Sequence, residues 1–316
     1  MSGKVIAVTL NPSIDKTIAI EQLVPYGLNR VISSRTDPGG KGVNVARALK
    51  NFGVDVTVCG LIAGEQGKLL LDYLKSAGIS ADFLEFAGET RINLKVIDQS
   101  VNKTTEINES GFYVTSEALA SFQQKFESSI KQADIAVLSG SLPPGVPKDF
   151  YAQCISIAKA AGVKPLLDAD GSALAEGIKA VPFAVKPNLH ELELLSGHKL
   201  STGSEVVDAA ERLIQTGIRI VIVSMGPDGA IVADQNEVFK VDSWDVEVKS
   251  ATGAGDSMVA SLAYSILQKA SLFDIAKITT AAGTITASKE GTQICTLNEV
   301  LQSLQYVAVT GIQRIR

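Results

Sequence analysis

The chain has 316 residues, 46% of them hydrophobic and 20% charged, with a formal net charge of −5. That is the composition of a soluble globular protein with a sizeable buried core. It excludes a chain drawn by its net charge to nucleic acid or to an anionic membrane, and an anionic metabolite would need a local cluster of cations.

Read in chain order, Val5–Leu10, Val54–Leu61, Ile135–Leu138, Pro165–Asp168, Phe183–Lys186 and Ile218–Ser224 are short apolar runs, several of them β-branched. Most end in Gly, Pro, Asn or Ser and lead into a helical pattern. Val43–Asn51, Gln66–Ala77, Lys148–Ala161, Glu205–Thr216 and Gly255–Lys269 are the plausible crossover helices. This alternation predicts an α/β fold with a mostly parallel central sheet flanked by helices. Thr17–Gln22, Val31–Arg35, Arg91–Asp98 and Thr104–Asn108 instead alternate apolar and polar residues, as half-exposed strands do. They predict a small β lid, from about 13–36 and 90–110, on a single domain spanning 1–316. Trp244–Lys249 also reads as a strand.

No apolar run is long enough for a signal-peptide core or a membrane span, so a soluble, cytoplasmic protein is expected. Cys59, Cys154 and Cys295 fit no metal-ligand spacing and read as buried thiols. The two histidines, His190 and His198, read as solvated helix residues.

Four stretches carry chemistry. Thr252-Gly253-Ala254-Gly255-Asp256-Ser257-Met258 opens a helix. Its glycines allow a tight turn with N–H groups converging on one space, and a helix start adds a positive dipole end. A carboxylate at Asp256 can then take a proton from an attacking hydroxyl while the N–H groups hold the transferred charge. An ordinary helix start explains the same spacing. Pro38-Gly39-Gly40-Lys41-Gly42-Val43-Asn44-Val45-Ala46-Arg47 is a second glycine turn into a helix, with a lysine suited to a phosphate ester; a plain turn with a solvated lysine is the alternative. Asp15 follows the first strand, where open α/β sheets bind ligands, and can bind sugar hydroxyls or simply close a turn. In Lys186-Pro187-Asn188-Leu189-His190-Glu191, Asn188 and Glu191 fit a capping box. They also fit a site in which Lys186 and Asn188 lie near ATP phosphates and Glu191 holds Mg2+ through water. Ser224, Gly226 and Gly229, in a turn between strands, can border a nucleotide. No Walker A loop occurs, and no dinucleotide fingerprint follows the first strand, which argues against a nicotinamide-dependent enzyme.

In their order and spacing these pieces resemble the ribokinase-like carbohydrate kinases, in the phosphofructokinase B branch. The resemblance runs from Asn11-Pro12-Ser13-Ile14-Asp15 to Gly253-Ala254-Gly255-Asp256. Between these lie Gly39-Gly40-Lys41-Gly42-Val43-Asn44, Thr90-Arg91, Ser139-Gly140-Ser141-Leu142-Pro143-Pro144-Gly145 and the Asn188–Glu191 motif. It implies Mg2+-dependent transfer of the γ-phosphoryl of ATP to a sugar hydroxyl. Asp256 looks like the base, and Gly253, Ala254 and Gly255 like its anion hole. Asp15, Gly39, Gly40, Asn44 and Ser139 look like substrate contacts, and Lys41 and Arg91 like clamps on a phosphate the sugar already carries. Arg30 resembles a residue that reaches that phosphate across a dimer formed through the lid. Ser224, Gly226 and Gly229 look like nucleotide contacts. Lys41, Leu28-Asn29-Arg30 and Thr105-Glu106-Ile107-Asn108 look most like the 1-phosphofructokinases, which implies fructose 1-phosphate as substrate. Tagatose-6-phosphate kinases share the Lys41 motif, and Val248-Lys249-Ser250 is similar to the minor 6-phosphofructokinase. Ser250 stands near where many family members carry an acidic residue. A non-catalytic sugar-phosphate sensor on the same fold is the reading from another class.

Overall fold

A computed structural model describes residues 3–312. In chain order it contains β1 (Lys4–Thr9), β2 (Ser13–Ile20), β3 (Val31–Gly39), α1 (Lys41–Asn51), β4 (Asp55–Ala63), α2 (Gly64–Ser76), β5 (Ser80–Phe86), β6 (Arg91–Asp98) and β7 (Lys103–Asn108). There follow α3 (Ser116–Ser129), β8 (Ile135–Ser139), α4 (Phe150–Ala160), β9 (Lys164–Asp168), α5 (Gly171–Lys179), β10 (Ala184–Val185), α6 (Leu189–Ser196), α7 (Gly203–Gln215), β11 (Ile220–Ser224), β12 (Ala230–Ala233), β13 (Val238–Asp242), α8 (Ala254–Leu267), α9 (Leu272–Ala287), α10 (Leu297–Ser303) and β14 (Ala308–Gly311).

The large sheet has ten strands in the order β14-β13-β12-β11-β10-β9-β8-β1-β4-β5. From β11 to β5 the pairings are parallel, and β12, β13 and β14 extend the β11 edge antiparallel. The six apolar runs anticipated from the sequence all lie in this sheet. Their continuous hydrophobicity follows from cover on both faces. Along β1, Val5 and Ala7 join a core with α1, α2, α8 and α9, while Ile6 and Val8 join one with α3, α4, α5 and α7. That two-residue alternation is the pleat distributing side chains between two helical layers.

The second sheet has four strands in the order β3-β2-β6-β7. Here β2 pairs parallel to β6, and the β2–β3 and β6–β7 pairs are antiparallel. Every residue of β7 and the first half of β3 are exposed, which matches their mixed polar pattern.

Trp244–Lys249 is not a strand. It alternates, but no neighbouring strand pairs with it, and the chain runs irregularly until Lys249 and Ser250 donate their N–H groups to the carbonyl of Ala287. Helix α1 also begins earlier than the pattern suggested, so Lys41 is its first residue rather than a loop residue. The three cysteines are buried, and His190 and His198 are exposed. No helix among the described residues is long and apolar enough to cross a membrane.

Candidate active site

A cleft of about 750 Å³ opens between the small sheet and the carboxyl ends of the parallel strands. Such a position is where open α/β sheets bind ligands, because strand ends and helix starts meet there.

One wall is the start of α8. Gly253 takes a positive φ of 82° and no side chain caps the helix. First-turn N–H groups are left without an intrahelical partner at such a start, and Gly253, Ala254, Gly255 and Asp256 all line the cleft. Asp256 is buried. Its Oδ2 accepts a hydrogen bond from Asn44 Nδ2 at 2.8 Å. Burial, and then the negative charge of Asp168, push its pKa up to about 6, against the opposing pull of Lys41, Asn44 and Lys186. A carboxylate poised there can accept a proton near neutral pH.

Beside it lies the turn into α1, which packs directly against α8. A side chain at Gly39 would collide with the Asp15 carboxylate and Ser13, so glycine is required for β2 and the turn to close together. Gly40, Lys41 and Asn44 line the cleft beyond it. Lys41 Nζ donates to Asp168 Oδ1 at 3.2 Å, and Lys186 Nζ stands 3.5 Å from the same oxygen. Burial works against the Lys41 charge, but Asp168, Asp256 and Glu191 together raise its pKa. Burial likewise opposes ionisation of Asp168, yet Lys186 and Lys41 hold its pKa below the usual carboxylate value. Lys186 is buried and lies 3.4 Å from where a side chain on Gly255 would begin, so its ammonium borders the uncapped helix start.

The small sheet forms the roof. Asp15 is buried; its Oδ1 accepts from Ser13 Oγ at 2.8 Å and Asn93 Nδ2 at 3.2 Å, and Lys95 Nζ lies 3.6 Å from its Oδ2. Lys95 also donates to Thr252 Oγ1 at 2.6 Å, tying the sheet to the glycine turn before α8. Arg91 is held by the carbonyls of Asn11 and Glu109. Lys41, Arg91, Lys95 and Lys186 give this acidic protein the local cation cluster that its net charge made a requirement for an anionic ligand.

The far end of the cleft is bordered by Asn188, Glu191, Ser224, Gly226 and Gly229. The capping box is present: Asn188 accepts from the N–H of Glu191, and Glu191 Oε2 accepts from the N–H of Asn188. Both readings of the motif therefore coexist, since capping residues and cleft-lining residues are the same ones.

Three anticipated residues stand apart. Gly39 shapes the turn without lining the cleft. Ser139 ends β8, buried, with its hydroxyl unpartnered. Arg30 is exposed in the β2–β3 connection, outside the cleft of its own chain. The sequence reading missed Asp168, Asn93 and Lys95. Asp168 ends a strand that was anticipated, so the carboxyl-end argument used for Asp15 would have found it. It also missed Trp244, Asp245 and Val246, which line the cleft because that segment is a loop.

A buried acid beside an uncapped helix start, with a group of cations near it, is an arrangement suited to phosphoryl transfer on an α/β scaffold. The profile described as "pfkB family carbohydrate kinase" matches residues 8–299. The chain is 39% identical over 286 residues to 1-phosphofructokinase of Xanthomonas campestris, covering 89% of this chain and 90% of the other. It is 33% identical to 1-phosphofructokinase of Bacillus subtilis, over 96% of this chain and 99% of that one. The solved structure of phosphofructokinase-2 from Escherichia coli superposes with a TM-score of 0.90 at 29% identity, covering 96% and 99% of the two chains. The protein belongs to the pfkB family of carbohydrate kinases.

Proposed function

We propose that the protein transfers the γ-phosphoryl of ATP to a hydroxyl of a phosphorylated ketohexose, with fructose 1-phosphate as substrate and fructose 1,6-bisphosphate as product. The observation that carries this reading is the placement of Asp256 and four cationic side chains in one cleft. Lys186 borders the start of α8, where the transferred group would sit, and a plain sugar has no use for the other cations, Lys41 and Arg91 above all. The names of the two relatives from Xanthomonas and Bacillus support fructose 1-phosphate in particular.

In this reading Asp15 and Asn44 orient the sugar between the roof and α1. Lys41 and Arg91 hold the phosphate it already carries. Asp256 takes the proton of the acceptor hydroxyl as that oxygen attacks phosphorus. The N–H groups of Gly253 to Asp256, with Lys186, receive the negative charge spread over the transferred group. Ser224, Gly226 and Gly229 border the nucleotide.

Magnesium fits the acidic residues present. Asp168 Oδ2 is buried with no hydrogen-bond partner, and Glu191 lines the same cleft. No cluster of three or more metal-ligating side chains occurs among the described residues. That suits an ion that keeps its waters and leans on one or two carboxylates and the substrate phosphates. Asp168 and Glu191 would hold it, and when bound it supplies positive charge to the phosphate oxygens.

The small sheet is read as a lid and as a pairing surface for a second copy. Its Val31, Ile32 and Ile107 are more than half exposed, as are Tyr26 and Leu28 in the adjoining loop. Tyr26, Leu28, Val31 and Ile32 follow one another closely along the chain at one edge of the sheet, and exposed apolar side chains there suit a contact with a second copy. Arg30, in the same loop, would then meet the phosphate site of the other copy.

One panel tests the substrate: fructose 1-phosphate, tagatose 6-phosphate, fructose 6-phosphate and fructose, each with Mg-ATP, compared by kcat/KM. Fructose 1-phosphate is expected to lead. Preference for unphosphorylated fructose would remove the role given to Lys41 and Arg91. Binding of an ester without turnover of any would support the sensor reading instead.

A further inference from the structure

Asn44 is buried in the first turn of α1, and both ends of its amide are committed. Nδ2 donates to Asp256 Oδ2 at 2.8 Å, and Oδ1 accepts from Arg47 Nη1 at 3.2 Å. A guanidinium has donors only and stays protonated. Only the carbonyl end of the amide can therefore face Arg47, and the donor end must face Asp256. Rotated by half a turn, the same amide would aim an oxygen at the carboxylate, an arrangement that favours the protonated acid.

Arg47 lies three positions after Asn44, one helical turn on and on the same face. It is half-buried and does not line the cleft. The charges that bear on it are Asp37 and Arg35 of β3, Asp15 of β2 and Asp256 of α8. Those that bear on Asp256 are Asp168 at the end of β9, Lys41 of α1, Lys186 after β10 and, reciprocally, Arg47 itself, so the double variant with Asn44→Ala, not the single shift, isolates the part carried by the amide. These charges are fixed in sign. The influence of Asn44 alone depends on which way a neutral group is turned.

We propose that Arg47 is a positioning residue for the reaction: acting through Asn44, it fixes the amide so that Asp256 is held by one oxygen and presents the other to the acceptor hydroxyl. The inference rests on the reading of Asp256 as the base.

The test is the pH dependence of kcat/KM in Arg47→Met, which keeps an unbranched apolar stem and removes the donor and its charge. The acid limb is expected to rise by about one unit. Arg47→Gln, whose amide offers either end, should give a smaller shift the same way, and it serves if the Met variant does not fold. Arg47→Lys, again donor-only, should bring the limb back toward its original position. Arg47→Met added to Asn44→Ala should shift the limb no further than Asn44→Ala alone. A loss of rate with an unmoved limb in every folded Arg47 variant, or additive shifts in the pair, overturns the inference. Asp256→Asn measured alongside separates the two layers. Full activity there would sink the base itself, whereas an inactive Asp256→Asn with an unmoved Arg47→Met limb sinks only the role of Arg47.

Discussion

Lys41 donates to Asp168 at 3.2 Å across 127 positions of sequence, joining the first residue of α1 to the last residue of β9. Because Lys186 approaches the same oxygen, one fully buried carboxylate balances two cations. Removing one member of a buried ionic group leaves the others uncompensated, at a cost of about 3–5 kcal/mol. Asp168→Ala is expected to lower the melting temperature markedly. It should also raise KM for Mg-ATP, because Asp168 Oδ2 is the orphaned acceptor on the cleft wall. Thermal unfolding and nucleotide titration check both. A variant with unchanged melting and unchanged KM would show that Asp168 neither neutralises the lysines nor serves the nucleotide end.

The acid limb of kcat/KM follows from Asp256. With its pKa near 6, activity should fall as pH drops through that value, because the protonated carboxyl accepts no proton. Negative charge at Asp168 is the second cause of the elevation, after burial. In Asp168→Asn that repulsion is gone, and the limb should move to lower pH. Burial alone would leave the limb in place.

Asp256→Asn separates catalysis from stability. The rate should drop on the order of 10²–10⁴ with loss of the base. Stability should move the other way. The folded-state pKa of Asp256 lies above the unfolded value, so the folded form binds more protons between roughly pH 4 and 6, and stability falls as pH rises through that window. Above it the full cost of burying the charge is present. A neutral amide removes that cost, so Asp256→Asn should melt higher at pH 8 and the gain should shrink toward pH 4. Melting curves at the two pH values decide it. A lower melting temperature at both would mean that the Asn44 contact outweighs desolvation.

How much of this was legible without coordinates depended on the range of the forces involved. The six sheet strands showed because burial on both faces writes an unbroken apolar run into each. Asp256, Lys41, Asn44 and Glu191 showed because glycine turns and helix starts are local. The pairing of Asn44 with Asp256 spans 212 positions and has no local trace. Lys95 went unmarked because its partners, Asp15 and Thr252, arrive from elsewhere in the fold. Trp244–Lys249 misled for the converse reason: its alternation is that of a strand, but a strand also needs a neighbour to pair with.

The small sheet supplies the last prediction. Leu28 is 75% exposed and Ile32 58%, and Arg30 lies between them in sequence yet outside its own cleft. If this surface meets a second copy, a charge placed in it faces its own symmetry mate, since a two-fold interface uses the same patch twice. Ile32→Glu is then expected to shift the protein to monomer in sedimentation or size-exclusion measurements. It should also raise KM for the sugar phosphate, because each site would lose the partner's Arg30. Arg30→Ala should leave assembly intact and raise the same KM by roughly 10-fold or more, the scale of a hydrogen bond to a charged group. A monomeric Ile32→Glu with unchanged KM would place Arg30 outside the chemistry and leave the patch as an interface only. An Ile32→Glu that remains a dimer would move the interface elsewhere on the molecule.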